Sequence, residues 1–232
     1  MDFQLSEDLV AVRDLAREFA EKEIAPSATK DDREHNFRRD LVAKMGKLGF
    51  FGCVIPEEYG GSNLGFLAFA LISEEIARAH AAVRVYMNMQ AGPALTLLDF
   101  GTEEQKRKYI PSLVSGESLG CFAITEPDAG SDVAGMRTTA VRNGDSYILN
   151  GTKTWISNAT VADTGIVFAY TDRSLRHHGM SAFYVNLNQP GVSRKNLEKL
   201  GTHASPTGEL TFQNFRIPEH CLTGKEGEGF KI

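Results

Sequence analysis

The chain has 232 residues, 42% hydrophobic and 24% charged, with a formal net charge of −5. A chain of this size can bury roughly 70% of its unfolded surface. The acid excess argues against a general nucleic-acid binder, which needs a basic stripe, and no apolar run approaches the ~20 residues of a membrane span. The three cysteines are far apart and in no paired spacing, so neither a disulfide framework nor a zinc site is indicated.

In chain order, Leu9, Val12, Leu15, Ala16 and Phe19 predict a helix from about Ser6 to Ala25, with Ser6 as N-cap, Glu7 and Asp8 in the first turn and Pro26 as stop. Leu41, Val42, Met45 and Leu48 repeat the pattern up to Gly49. Leu64 to Ala79 and Val83 to Leu98 read as two further helices, nearly apolar all round and therefore buried. Thr102 and Gln105 form a capping-box pair that opens a helix to about Val114.

After Ser115-Gly116 the period changes to alternation. Asn143-Gly144 predicts a hairpin, and strand-like runs follow at Ile166 to Thr171, Ala182 to Leu187 and Glu209 to Phe215. Short strands at this spacing suggest a barrel or sandwich, and protection of the edges favours closure.

Two segments carry the chemistry. In Cys121-Phe-Ala-Ile-Thr-Glu-Pro-Asp-Ala-Gly-Ser-Asp132 an apolar run ends at Thr125 in a turn of small residues and backbone donors. In Gly151-Thr-Lys-Thr-Trp-Ile-Ser157 the only tryptophan stands between Thr154 and Ser157, with Ile156 on the opposite face by alternation. An aromatic plane beside hydrogen-bonding groups suits a flat redox cofactor, although an isolated strand tryptophan is otherwise most simply core.

These residues resemble the acyl-CoA dehydrogenase family, whose middle domain carries a Thr-Glu-Pro-x-x-Gly-Ser-Asp turn and a later Trp-Ile-Ser/Thr strand. Pro56-Glu-Glu-Tyr-Gly-Gly61, Gly101-Thr-Glu-Glu-Gln-Lys106 and Ile217-Pro218 fall in family-like order. Within the family, Arg84-Val-Tyr-Met-Asn88 and Asn196-Leu-Glu-Lys-Leu-Gly-x-His-Ala-Ser-Pro-Thr-Gly208 look closest to the glutaryl-CoA dehydrogenase branch. The resemblance implies an α+β multidomain protein: an all-α N-terminal domain over 1–116, an antiparallel β-barrel flavin domain over 117–228, and at 229–232 the start of a C-terminal four-helix domain that this chain lacks.

It further implies FAD, an acyl-CoA substrate that is short or dicarboxylic, an electron-transferring flavoprotein as acceptor, a homotetramer, and a cytoplasmic or mitochondrial-matrix location. Phe122, Ala123, Ile124, Thr125, Trp155, Ile156 and Ser157 fall at flavin-contacting positions, with Thr125 at the pyrimidine edge, Trp155 against the ring and Ser157 near the hydride-accepting nitrogen. Gly130 and Ser131 would meet acyl-CoA and the flavin tail. Arg84 would face a distal carboxylate of the substrate, or else pair with Glu74 or Asp99. The catalytic base would lie outside this chain. His203 stands where many relatives carry Arg, which puts an anion contact there in doubt. His177-His178 lacks a third metal ligand, and Gly224-Lys-Glu-Gly-Glu-Gly229 has neither the strand nor the spacing of a phosphate loop. An acyl-CoA oxidase or flavin monooxygenase relative, and a non-catalytic flavin or acyl-CoA binding module, are the alternatives.

Overall fold

The computed structural model describes residues 4–232. The first half is helical: α1 (Glu7–Phe19), α2 (Ala28–Arg33), α3 (Arg39–Lys47), α4 (Phe66–Ala79), α5 (Ala81–Phe100) and α6 (Glu103–Val114). The Ser6 side chain accepts the Leu9 amide, and Glu7 and Asp8 occupy the first turn, so α1 starts as the sequence predicts. Its continuation is not plain α-helix: Ala20–Ile24 forms a π turn before Pro26. The capping box of α6 is complete, with the Gln105 amide donating to Thr102 Oγ1 at 3.2 Å and the Thr102 amide to Gln105 Oε1 at 3.0 Å. Gln105 Nε2 also donates to the carbonyls of His220 and Leu222, tying this helix start to the far end of the chain.

The expectation that 64–79 and 83–98 are buried all round is approached by the second helix and fails for the first. On α5, ten side chains from Ala82 to Leu97 are buried. On α4 only Ala68, Ile72, Glu75 and Ile76 are buried, while Phe66 and Leu67 stand exposed, because α4 packs on α1 and α5 through one face.

The second half comprises β1 (Phe122–Ala123), β2 (Thr139–Asn143), β3 (Ser146–Ser157), β4 (Thr164–Tyr170), β5 (Met180–Asn186), β6 (Val192–Asn196), β7 (Thr207–Pro218) and β8 (Leu222–Thr223). They pair in the order β6-β7-β3-β2-β4-β5-β8, with β1 added beside β4. The sheet is mostly antiparallel; β1 with β4 and the single bridge of β2 with β4 are parallel. The β2–β3 hairpin turns at Gly144, which has φ 63°.

Strands β4 and β5 are buried on both faces. Val167, Ala169, Phe183 and Val185 join Tyr147, Leu149, Leu210, Phe212 and Phe215 in the core of the sheet. Ile166, Phe168, Tyr170, Ala182 and Tyr184 point the other way, into one continuous cluster with Phe50, Ile72, Tyr86, Leu97 and Leu113 of the helices. Gln90 of α5 fixes the seam: it donates to the carbonyls of Leu113 and Ser118 and accepts the Gly120 amide just before β1.

Candidate functional site

The two segments singled out in the sequence meet. The Thr154 amide donates to the Thr125 carbonyl at 2.9 Å, and Lys153 Nζ donates to the Ile124 carbonyl at 3.0 Å. Between Lys153, which faces Leu210, and Ile156, which faces Gly208, β3 holds two residues against one on β7. This is a β-bulge, and its extra residue re-aims a side chain. Trp155 occupies it with φ 58° and remains 59% exposed, whereas Ile156 beside it is buried in the sheet core. A left-handed backbone at a bulky residue costs of order 1 kcal/mol or more and persists only where the surroundings impose it. The core reading of Trp155 therefore fails, and its ring forms an open ledge.

In the same two segments Thr125 and Ser157 are half-buried, and Gly130 and Ser131 are exposed. The hydroxyls of Thr125, Ser131 and Ser157 make no hydrogen bond to another described residue. A side chain built on Gly130 would meet no atom within 4 Å, so space lies open there. Phe122 packs its ring on Phe168 at 5.1 Å, and Ala123 is fully buried, so these two and Ile156 can offer a ligand chiefly backbone. An exposed indole, three free hydroxyls and an open glycine turn fit one face and one edge of a flavin.

Sequence reasoning missed the two residues beneath this surface. Lys153 and Glu126 are both almost wholly buried and lie 2.7 Å apart. Glu126 also accepts the amides of Arg137 at 2.6 Å and Thr138 at 3.0 Å. Burial alone would raise the Glu126 pKa, but the Lys153 charge and these bonds outweigh it and hold it below the usual carboxylate range. Burial pulls Lys153 down to about 8, against the pull of Glu126. The signal was present: opposite charges inside two segments that otherwise read as apolar strand and turn.

The guanidinium of Arg84, half-buried on α5, makes no ion pair or hydrogen bond with a described residue; the alternative pairing with Glu74 or Asp99 does not form. It lies six residues, about 9 Å along the helix axis, from Gln90 and the β1 seam. His203 is half-buried and both its ring nitrogens are occupied by partners within the chain. Its Nδ1 is 3.2 Å from Asp32 Oδ2, its Nε2 meets the Lys199 carbonyl at 2.8 Å, and its ring stacks on His35 at 4.5 Å. Among the described residues no group of histidines, cysteines and carboxylates could hold a metal ion, and no helix is long and apolar enough to cross a membrane.

Residues 6–117 match the family model of the acyl-CoA dehydrogenase N-terminal domain, and residues 121–215 that of the middle domain. The chain belongs to the acyl-CoA dehydrogenase family. It is 51% identical to a glutaryl-CoA dehydrogenase from Desulfococcus multivorans, over all of this chain and 61% of that protein. A solved glutaryl-coenzyme A dehydrogenase in complex with glutaryl-CoA superposes with a TM-score of 0.98 at 50% identity, covering all of this chain and 60% of that one. A glutaryl-CoA dehydrogenase from Mycobacterium smegmatis in complex with FADH2 superposes at 0.89 and 31% identity, covering 96% and 58%. The chain thus spans about 60% of the length of the family members it matches.

Proposed function

We propose that the complete protein is an FAD-dependent acyl-CoA dehydrogenase acting on a short or carboxylated acyl thioester, with glutaryl-CoA as the leading substrate. The observation that carries this reading is the Trp155 bulge: a strained backbone presents an indole to solvent on the strand that also carries Ser157 and that is hydrogen-bonded, at Thr154, to Thr125. Bound FAD would supply the acceptor for a hydride leaving the acyl chain. Trp155 would cover one face of the ring, the Thr125 hydroxyl would bind its pyrimidine edge, and Ser157 would serve the side of the hydride-accepting nitrogen. Backbone of Phe122, Ala123, Ile124 and Ile156 borders the same slot, and Gly130 with Ser131 admits the thioester and the flavin tail.

Arg84 holds the distal carboxylate of the substrate. An unpaired guanidinium on a largely apolar helix is costly and gains most from an anionic partner. The base that removes the proton beside the thioester carbonyl comes from outside these residues. Of the carboxylates in and around these segments, Glu126 is engaged by Lys153, Asp128 by Arg137 and Glu209 by the Thr154 hydroxyl. The helical unit over 1–116, the sheet unit over 117–228 and a further unit beginning at 229–232 are the same reading's division of the chain. Electrons pass to an electron-transferring flavoprotein, and the working form is a homotetramer in the cytoplasm or the mitochondrial matrix.

The test is a panel of acyl-CoA esters added anaerobically to the complete purified protein while its visible flavin bands are followed. Bleaching by glutaryl-CoA, with slow return of colour in air, is expected. Rapid return in air would instead make it an oxidase, and a colourless protein would remove the flavin reading altogether.

A further inference from the structure

Lys153 and Glu126 lie under the ledge, not on it. Glu126 immediately follows Thr125, and Lys153 precedes the Trp155 bulge by two residues. Lys153 Nζ bridges the Ile124 carbonyl and Glu126 Oε1, while Glu126 draws in the amides of Arg137 and Thr138. One buried pair therefore joins three segments, 124–126, 136–138 and 153–155, of which the first carries Thr125 and the third Trp155. Together with the bond from the Thr154 amide to the Thr125 carbonyl, it fixes Thr125 against the start of the bulge. A buried ion pair is weak evidence for stability, since a neutral pair of similar volume often serves as well. Its particular contribution here is register: no apolar replacement could hold the Ile124 carbonyl.

We propose that Lys153, through Glu126 and the Ile124 carbonyl, is a positioning residue that keeps the Thr125 hydroxyl and the Trp155 ring at the spacing a flavin requires. This rests on the flavin reading of the ledge. A one-ångström drift between Thr125 and Trp155 would leave the fold intact and the slot misshapen.

The test uses the complete protein and reads FAD affinity separately from stability. Lys153→Met leaves the Glu126 carboxylate buried without its cation, so both quantities fall. The double variant Lys153→Met, Glu126→Gln removes both charges and restores much of the urea midpoint. It still lacks the tie to the Ile124 carbonyl, so FAD affinity, read by quenching of flavin fluorescence on titration of apoprotein, stays at least tenfold below that of the unaltered protein, with displaced flavin bands. A double variant that regains both stability and affinity would make the pair merely structural and overturn the proposal. A second measurement needs no substitution: FAD binding should slow hydrogen exchange at the Arg137 and Thr138 amides, which both donate to Glu126. Unchanged exchange at both amides overturns the proposal even if the variants do not fold. Should the unaltered protein bind no FAD, the flavin reading itself fails, a result distinct from either of these.

Discussion

Replacing Trp155 by alanine separates what the ring does for a ligand from what it does for the fold. A tryptophan contributes roughly 150–250 Å² of contact surface. At 59% exposure, about 130 Å² of it meets solvent, and a flavin covering half of that gains about 1.6 kcal/mol at ~25 cal/mol per Å². Ring-on-ring contact adds about 1 kcal/mol. The sum, near 2.5 kcal/mol, corresponds to roughly a 60-fold rise in the FAD dissociation constant. Folding should change by no more than about 0.5 kcal/mol, since an exposed ring has little to lose. A glycine at the same position should weaken FAD equally while raising stability by about 1 kcal/mol, because it relieves the left-handed backbone. Fluorescence titration of apoprotein with FAD and urea unfolding of the same samples read the two quantities. Undiminished FAD affinity in the alanine variant, or equal stability of the alanine and glycine variants, would refute the account of the bulge.

Arg84→Gln in the complete protein should lower kcat/KM for glutaryl-CoA by about 10-fold or more, the scale of a charge-assisted hydrogen bond, and leave butyryl-CoA nearly untouched; equal losses would make Arg84 structural. Glu75, buried on α4, is held below the usual carboxylate range by the side-chain bond from Arg17 at 2.7 Å, together with Arg78 at 3.0 Å. A depressed folded pKa gives stability that is complete above the unfolded value near 4.3 and is lost as pH falls through the folded one. Glu75→Gln should therefore flatten the acid limb of a stability–pH curve. The effect should be about 1 kcal/mol, since both arginines are half exposed and screened by water. Gly151→Ala should destabilise by several kcal/mol, because φ is 149° and the new carbon would sit 2.3 Å from Thr138 Oγ1; a urea midpoint within error of the parent would contradict this.

The elements most legible in the sequence were those in which several local signals agree. Ser6 with an acidic first turn and Thr102 with Gln105 mark helix starts through caps as well as periodicity, and both appear in the structure. Elements without such agreement were missed. Helix α2 is six residues of mixed polarity with no apolar stripe, and β6 is a polar edge strand whose pairing with β7 only the fold supplies. The pattern of apolar residues likewise placed Phe66 and Leu67 inside, because periodicity says which residues are alike and not which face finds a neighbour. At the ledge, the resemblance named the exposed groups, but nothing in these short motifs marks Lys153 and Glu126 as partners. Their pairing becomes visible only when segments 27 positions apart are brought together.

The shared core of the helices and strands β4 and β5 bears on how this protein can be taken apart. Severing the chain near Gly116 would strip Ile166, Phe168, Tyr170, Ala182 and Tyr184 of their helical cover and leave Gln90 without its acceptor and donor beyond the cut. Neither piece would then be an autonomous module. Heat or urea should melt helices and strands in a single step, with far-ultraviolet and aromatic dichroism losing their signals together.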